Sequence, residues 1–175
     1  MILPRGQVLL LPANPTFVWG SLAAAALLAI VQGQLAGRLA WLPDWLALAL
    51  AFWSMHQPRR IGVVTAFVAG LVLDVAHGAL LGQHALAYAV LGYGAVALHR
   101  RVLWFDQRGQ MLHVLPLFAL ATGLQALVRW LAGDGAPPWP LLLAPLTTTL
   151  AWPLATHVLL APQRRAPDPD ETRPL

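Results

Sequence analysis

Residues 70–86 read GLVLDVAHGALLGQHAL and gather more chemistry than any other stretch of the 175-residue chain. A carboxylate (Asp74), two imidazoles (His77, His84), a carboxamide (Gln83) and three glycines (Gly70, Gly78, Gly82) interrupt otherwise apolar sequence. Three kinds of work suit such groups. Asp74, His77 and His84 have the ligand types for a metal ion, but Asp-x2-His-x6-His across a turn is no established pattern. No cysteine or second carboxylate lies near in sequence. The same groups suit a proton relay or substrate site in a carrier, as ionisable residues inside membranes often do. The third role is packing. Gly70, Asp74 and Gly78 recur at i, i+4 and i+8 and share one helical face, with His77 beside them. Two glycines on that face admit a closely packed neighbouring helix.

Packing is the reading the spacing favours: these residues hold a helix bundle together and shape a docking surface for another membrane protein. Gly78 and Gly82 bracket a tight connection, because glycine tolerates the positive φ that ends a helix. Gln83 and His84 then open the next helix. Arg129, on the outer side of its own span, is the expected counter-charge for Asp74, in competition with plain snorkelling to the headgroups.

The elements that must position these residues are membrane spans. Hydrophobic residues make up 58% of the chain and charged residues 10%, with a mean hydropathy of +0.64. Average soluble domains carry roughly 25% charged residues. Six apolar stretches run over 16–35, 41–55, 61–76, 83–98, 111–132 and 141–161. A spanning helix needs about 20 residues, which the first, fifth and sixth supply alone. The second to fourth need their flanking polar residues at the interface or a thinned bilayer. The expected fold is therefore all-α, a polytopic membrane bundle of about six transmembrane helices; four spans plus a re-entrant pair is the competitor. An N-terminal cytoplasmic or interfacial segment (1–15), the bundle (16–161) and a disordered, Pro-rich cytoplasmic tail (162–175) complete the domain plan.

All eleven basic residues are arginine. With both termini cytoplasmic, Arg5, Arg59, Arg60, Arg100, Arg101, Arg108, Arg164, Arg165 and Arg173 fall inside, and only Arg38 and Arg129 fall outside. That asymmetry is what the positive-inside rule requires. Trp19, Trp41, Trp45, Trp104, Trp130 and Trp139 sit near expected span ends, the headgroup layer that suits an amphipathic ring. Ordinary helix packing accounts for Trp53 and Trp152. Interfacial solvation is the reading for Gln32, Gln34 and Gln125, and headgroup contact for His56, His99, His113 and His157. Thr147, Thr148 and Thr149 are placed to bond back to their own helix, and Pro153 to kink it.

Several function classes lack support. The arginines form no continuous basic stripe, so nucleic-acid binding is not expected. Ser21 and Ser54 lie in no Gly-x-Ser-x-Gly elbow, the one glutamate (Glu171) is in the tail, and no phosphate loop or His-Glu-x2-His motif is present. No enzyme activity, cofactor or metal is expected.

Along most of its length the chain resembles the MreD family of bacterial rod shape-determining membrane proteins. The resemblance is carried by WLPDWLALALAFWSMHQPRRIG (41–62), GLVLDVAHGALLGQHALAY (70–88), HRRVLWF (99–105) and QMLHVLPLF (110–118). The Pro-Arg junction before the third span and the Gly-x3-Asp-x3-Gly-x2-Leu-Gly pattern are together the most specific part. The closing LAPQRRAPDPDE is similar to the beta-proteobacterial version. The resemblance implies a non-enzymatic, multi-pass subunit of the cell-elongation machinery in the inner membrane. It would act beside MreC, with the MreB filament, the RodA glycosyltransferase and a penicillin-binding transpeptidase in the same assembly. The family is also similar in topology to the substrate-binding subunits of vitamin transporters. That keeps open a small-molecule carrier with a cavity lined by Asp74, His84 and Gln125.

Overall fold

Three side chains start three of the helices. Asn14 accepts from the N–H of Thr16 (3.0 Å), Asp44 from Ala47 (2.9 Å) and Asp106 from Gly109 (3.0 Å). Each satisfies a donor that the first helical turn leaves open. They open α1 (Pro15–Gln34), α2 (Trp45–His56) and α5 (Gln107–Leu131), while α3 (Val63–His77) and α4 (Gln83–Val102) begin without a side-chain cap of their own. A 3-10 turn (Trp139–Leu143), α6 (Ala144–Leu150), α7 (Trp152–Leu160) and a second 3-10 turn (Ala161–Gln163) follow. The computed structural model describes residues 13–35, 40–133, 135–136 and 138–163, and among these the regular structure is all helical, without strands. Most of the segment 1–15, Arg5, Arg38, the arginines 164, 165 and 173 and nearly all of the tail 162–175 lie outside the described residues.

The centre of the bundle is α2. Leu46 to Met55 are all buried, on every face of the helix. At 12 residues it is roughly 18 Å long, shorter than the ~30 Å hydrocarbon layer. Because α1, α4, α6 and α7 pack around it, its shortness imposes no mismatch on lipid. Its alternating Leu and Ala admit those neighbours closely. Trp53 donates to the Ser21 hydroxyl (2.8 Å), and Trp152 to Gln110 Oε1 (3.0 Å). Both indoles are fully buried beside Phe52, which is the packing role read from sequence.

The outer surface is apolar, with Leu27, Val31, Val64, Val72, Val75, Leu112 and Leu127 exposed. Among the described residues two helices, α1 and α5, are long and apolar enough to cross a bilayer, and the bent pair 139–150 and 152–163 makes a third if taken as one span. The fourth stretch, expected to be short, is a 20-residue helix. The sixth, expected over 141–161, is broken at Ala151 by a bend of 42°. Pro153 supplies no N–H for the turn that crosses the break. Thr148 and Thr149 bond back to Ala144 and Pro145 (both 2.7 Å), as their positions led one to expect. Thr147 also donates to the Trp41 carbonyl (2.7 Å), tying α6 to the approach to α2.

Candidate functional site

Gly70 begins the site by having no side chain. A Cβ there would collide with the backbone of Ala85 and His84, so the first turn of α4 lies directly on α3. One turn further along the same face, the carboxylate of Asp74 meets the open N–H groups of that turn. It accepts from Gly82 (2.9 Å), His84 (2.8 Å) and Ala85 (3.3 Å), and from His84 Nδ1 (2.7 Å). Asp74 is wholly buried. Four donors and the positive end of the α4 dipole replace the water it has lost. A carboxylate in this setting only accepts, so the His84 Nδ1 carries the proton.

The main chain of Asp74 serves the same hairpin. Its carbonyl accepts from the N–H of Ala79 (2.9 Å), and that of Val75 from Gly78 (3.2 Å), which together close a Schellman turn. Gly78 sits at φ 61° and Gly82 at φ 102°, where side chains are disfavoured. Of the residues singled out by sequence, Gly70, Asp74, Gly78, Gly82, Gln83 and His84 thus assemble one capped helical hairpin. Arg129 is placed on the wall of the adjoining cavity, while the contacts described for Asp74 come from the α4 N-terminus.

From His84 the polar contacts continue across the bundle. Its ring meets those of His77 (5.6 Å) and Tyr88 (5.9 Å) edge-on. The Tyr88 hydroxyl donates to both oxygens of Asp44 (2.9 and 2.8 Å), and the Asp44 N–H donates to Thr148 Oγ1 (2.9 Å). His77 Nε2 donates to the Ala29 carbonyl of α1 (3.2 Å). Gly33 makes the room for that, since a Cβ there would coincide with the imidazole.

These residues border a cavity of about 410 Å³ at the end of the bundle where α1, α3 and α5 finish and α2, α4 and α6 begin. Asp44, Tyr88 and Thr122 also line it, and no local sequence pattern marks them. Asp44 lies far along the chain from the 70–86 stretch, and only the fold brings it to the wall of this cavity. Interfacial solvation, the expectation for Gln125 and Gln32, does not hold: Gln125 is buried and the Oε1 of Gln32 is enclosed. His56 and His113 bond back to carbonyls of their own helices and stack on Phe52 and Phe105. Among the described residues no three His, Asp or Glu side chains gather as a metal site would require.

A family model described as rod shape-determining protein MreD matches residues 13–136, from the start of α1 past the end of α5. The chain belongs to the MreD family. A relative, the rod shape-determining protein MreD of Haemophilus influenzae, is 29% identical over 115 residues, covering 63% of this chain and 68% of the relative. No solved structure matches. MreD membership assigns the chain a part in determining rod shape, in a family not known for catalysis, and with its apolar helices marks it as a membrane protein. The MreD match takes in the whole α3–α4 hairpin and stops before the broken α6–α7 pair.

Proposed function

We propose that this chain is a non-enzymatic scaffold in the bacterial inner membrane, binding MreC and helping to position RodA and a penicillin-binding transpeptidase relative to MreB. It crosses the bilayer about six times, with the segment 1–15 and the tail 162–175 on the cytoplasmic side of the 16–161 bundle. The exposed Arg59, Arg60, Arg100, Arg101 and Arg108 gather at the end where α2 and α4 finish and α3 and α5 begin. Arg129 sits at the other. That distribution supports the orientation. Exposed tryptophans at both ends, Trp19 and Trp104 at one and Trp41, Trp130 and Trp139 at the other, support the two interfaces.

The observation that carries the scaffold reading is the use to which Asp74 is put. Its carboxylate is fully engaged in fixing α4 on α3, which makes the hairpin a rigid part. Beside it α1, α2 and α3 frame an apolar groove lined by Trp19, Ala23, Ala26, Leu50, Val68 and Ala69. Its alanines, Ala23, Ala26 and Ala69, suit close packing of a single spanning helix, such as that of MreC. Asp74→Leu or Gly78→Leu should release the hairpin geometry and lower MreC co-purification while the protein still inserts. Undiminished co-purification of both inserted variants would remove the hairpin from the partner site.

A further inference from the structure

Two side chains in the cavity have nothing to bond. Gln83 and Gln125 are 6% and 7% exposed, and neither side-chain amide has a hydrogen-bond partner among the described residues. They approach from different helices, α4 and α5, and both border the same space. Gln32 borders the same space from α1, but its Oε1 is enclosed by protein and does not open on the cavity. A buried carboxamide left unsatisfied is strongly unfavourable, and two of them opening on one void favour an occupant that hydrogen-bonds. The imidazoles add to this. His77 uses Nε2 and His84 uses Nδ1 on protein acceptors, which leaves His77 Nδ1 and His84 Nε2 as further open positions.

We infer that this cavity is a binding site for an uncharged, hydroxyl-rich molecule, a sugar or polyol, taken either free or as the headgroup of a lipid. Each carboxamide presents a donor and an acceptor together, and the hydroxyl group is its complement because it also does both. The formal charges on the wall, Asp44 and Arg129, are one of each sign. Asp44 is already occupied by the Tyr88 hydroxyl and the Ala47 N–H and Arg129 is likewise engaged within the protein, so the lining favours neither an anion nor a cation. The volume of about 410 Å³ falls among small-molecule sites, which run from about 300 to 1,000 Å³. The exposed Trp41, Trp130 and Trp139 at the same end of the bundle set its depth at the headgroup layer, within reach of a lipid headgroup and of the aqueous side.

The test is the thermal melting of the full chain in phosphatidylcholine nanodiscs. One arm adds methyl α-glucoside to the buffer; the other dopes the disc with monoglucosyl diacylglycerol. Glucuronate and glucosamine serve as the charged counterparts of the soluble probe. A saturable rise in Tm is expected in at least one arm, because a ligand that binds the folded state stabilises it by mass action. A rise with the soluble sugar assigns a free ligand, and a rise confined to the glycolipid assigns a headgroup. Gln125→Leu and Gln83→Leu should each abolish the rise without lowering the unliganded Tm, since an apolar side chain leaves no amide unsatisfied. No rise in either arm means that the cavity holds water only and overturns the inference. A rise that survives in both leucine variants, or one matched by the charged sugars, overturns it equally.

Discussion

The Asp74 carboxylate lies 2.8 Å from the main-chain N–H of His84 and 2.7 Å from its Nδ1. One side chain at the end of α3 therefore caps α4 and fixes the tautomer of the imidazole in its first turn. In lipid an uncapped helix start is costly, because no water is present to take up the free N–H groups. A carboxylate held one turn beyond a glycine contact solves this from the neighbouring helix. It also joins the two helices by hydrogen bonds that shape alone would not provide.

Replacing that carboxylate should destabilise the bundle measurably. Asp74→Leu leaves the half-buried donors of Gly82 and His84 and the buried one of Ala85 without an acceptor, a loss of about 2–4 kcal/mol. Asp74→Asn keeps one acceptor oxygen and should fall between leucine and the parent. Unfolding of the purified protein in mixed micelles measures both, and equal stability of all three proteins would contradict the cap.

Glycine contacts in the hairpin separate from glycines that merely occupy helix. Gly70→Ala drives a Cβ into the backbone of α4, which cannot yield without opening the hairpin, so a cost of about 1–3 kcal/mol is expected. Nothing lies within 4 Å of a Cβ built at Gly20 or Gly123. Alanine there should be neutral or stabilising by up to about 1 kcal/mol through helix propensity. Thermal melts of the three single variants decide the point, and a Gly70→Ala protein as stable as the other two would refute the close approach.

The helical class and the hairpin were legible because both leave local marks. The i, i+4, i+8 run of Gly70, Asp74 and Gly78 and the positive-φ glycines at 78 and 82 place a capped turn where the structure has one. The charge partner of Asp74 was not legible. The residue types point to a cation such as Arg129, whereas three of the four described contacts come from main-chain N–H groups, which every residue type but proline carries, and the fourth from His84 Nδ1. The cavity was hidden for a different reason. Gln32, Asp44, Tyr88 and Gln125 are isolated polar residues in separate segments, and only the packing of the helices around α2 brings them to one space. The break at Ala151 was half legible: Pro153 announced a bend, but not that the helix would stop.

Topology is directly testable because the chain contains no cysteine. Arg59→Cys should react with a membrane-impermeant maleimide only when the cytoplasmic side is exposed. Ala132→Cys, after the last turn of α5, should react from the periplasmic side of intact cells. Reversed labelling of the pair would invert the proposed orientation, and labelling of both from one side would refute an odd number of crossings between them.

The contact between α1 and α3 rests on a void that one glycine leaves for one imidazole, so the two positions should be coupled. A Cβ at Gly33 occupies the place of the His77 ring, and the ring must leave its bond to the Ala29 carbonyl to make way. Gly33→Ala alone should cost about 1–3 kcal/mol. His77→Ala removes the same bond but empties the space, so adding Gly33→Ala to it should cost little and fill part of the gap. The double-mutant cycle should therefore show a coupling energy of about 0.5–3 kcal/mol, the range for residues in contact. Strict additivity of the two changes would mean that α1 does not lie against α3 at this end.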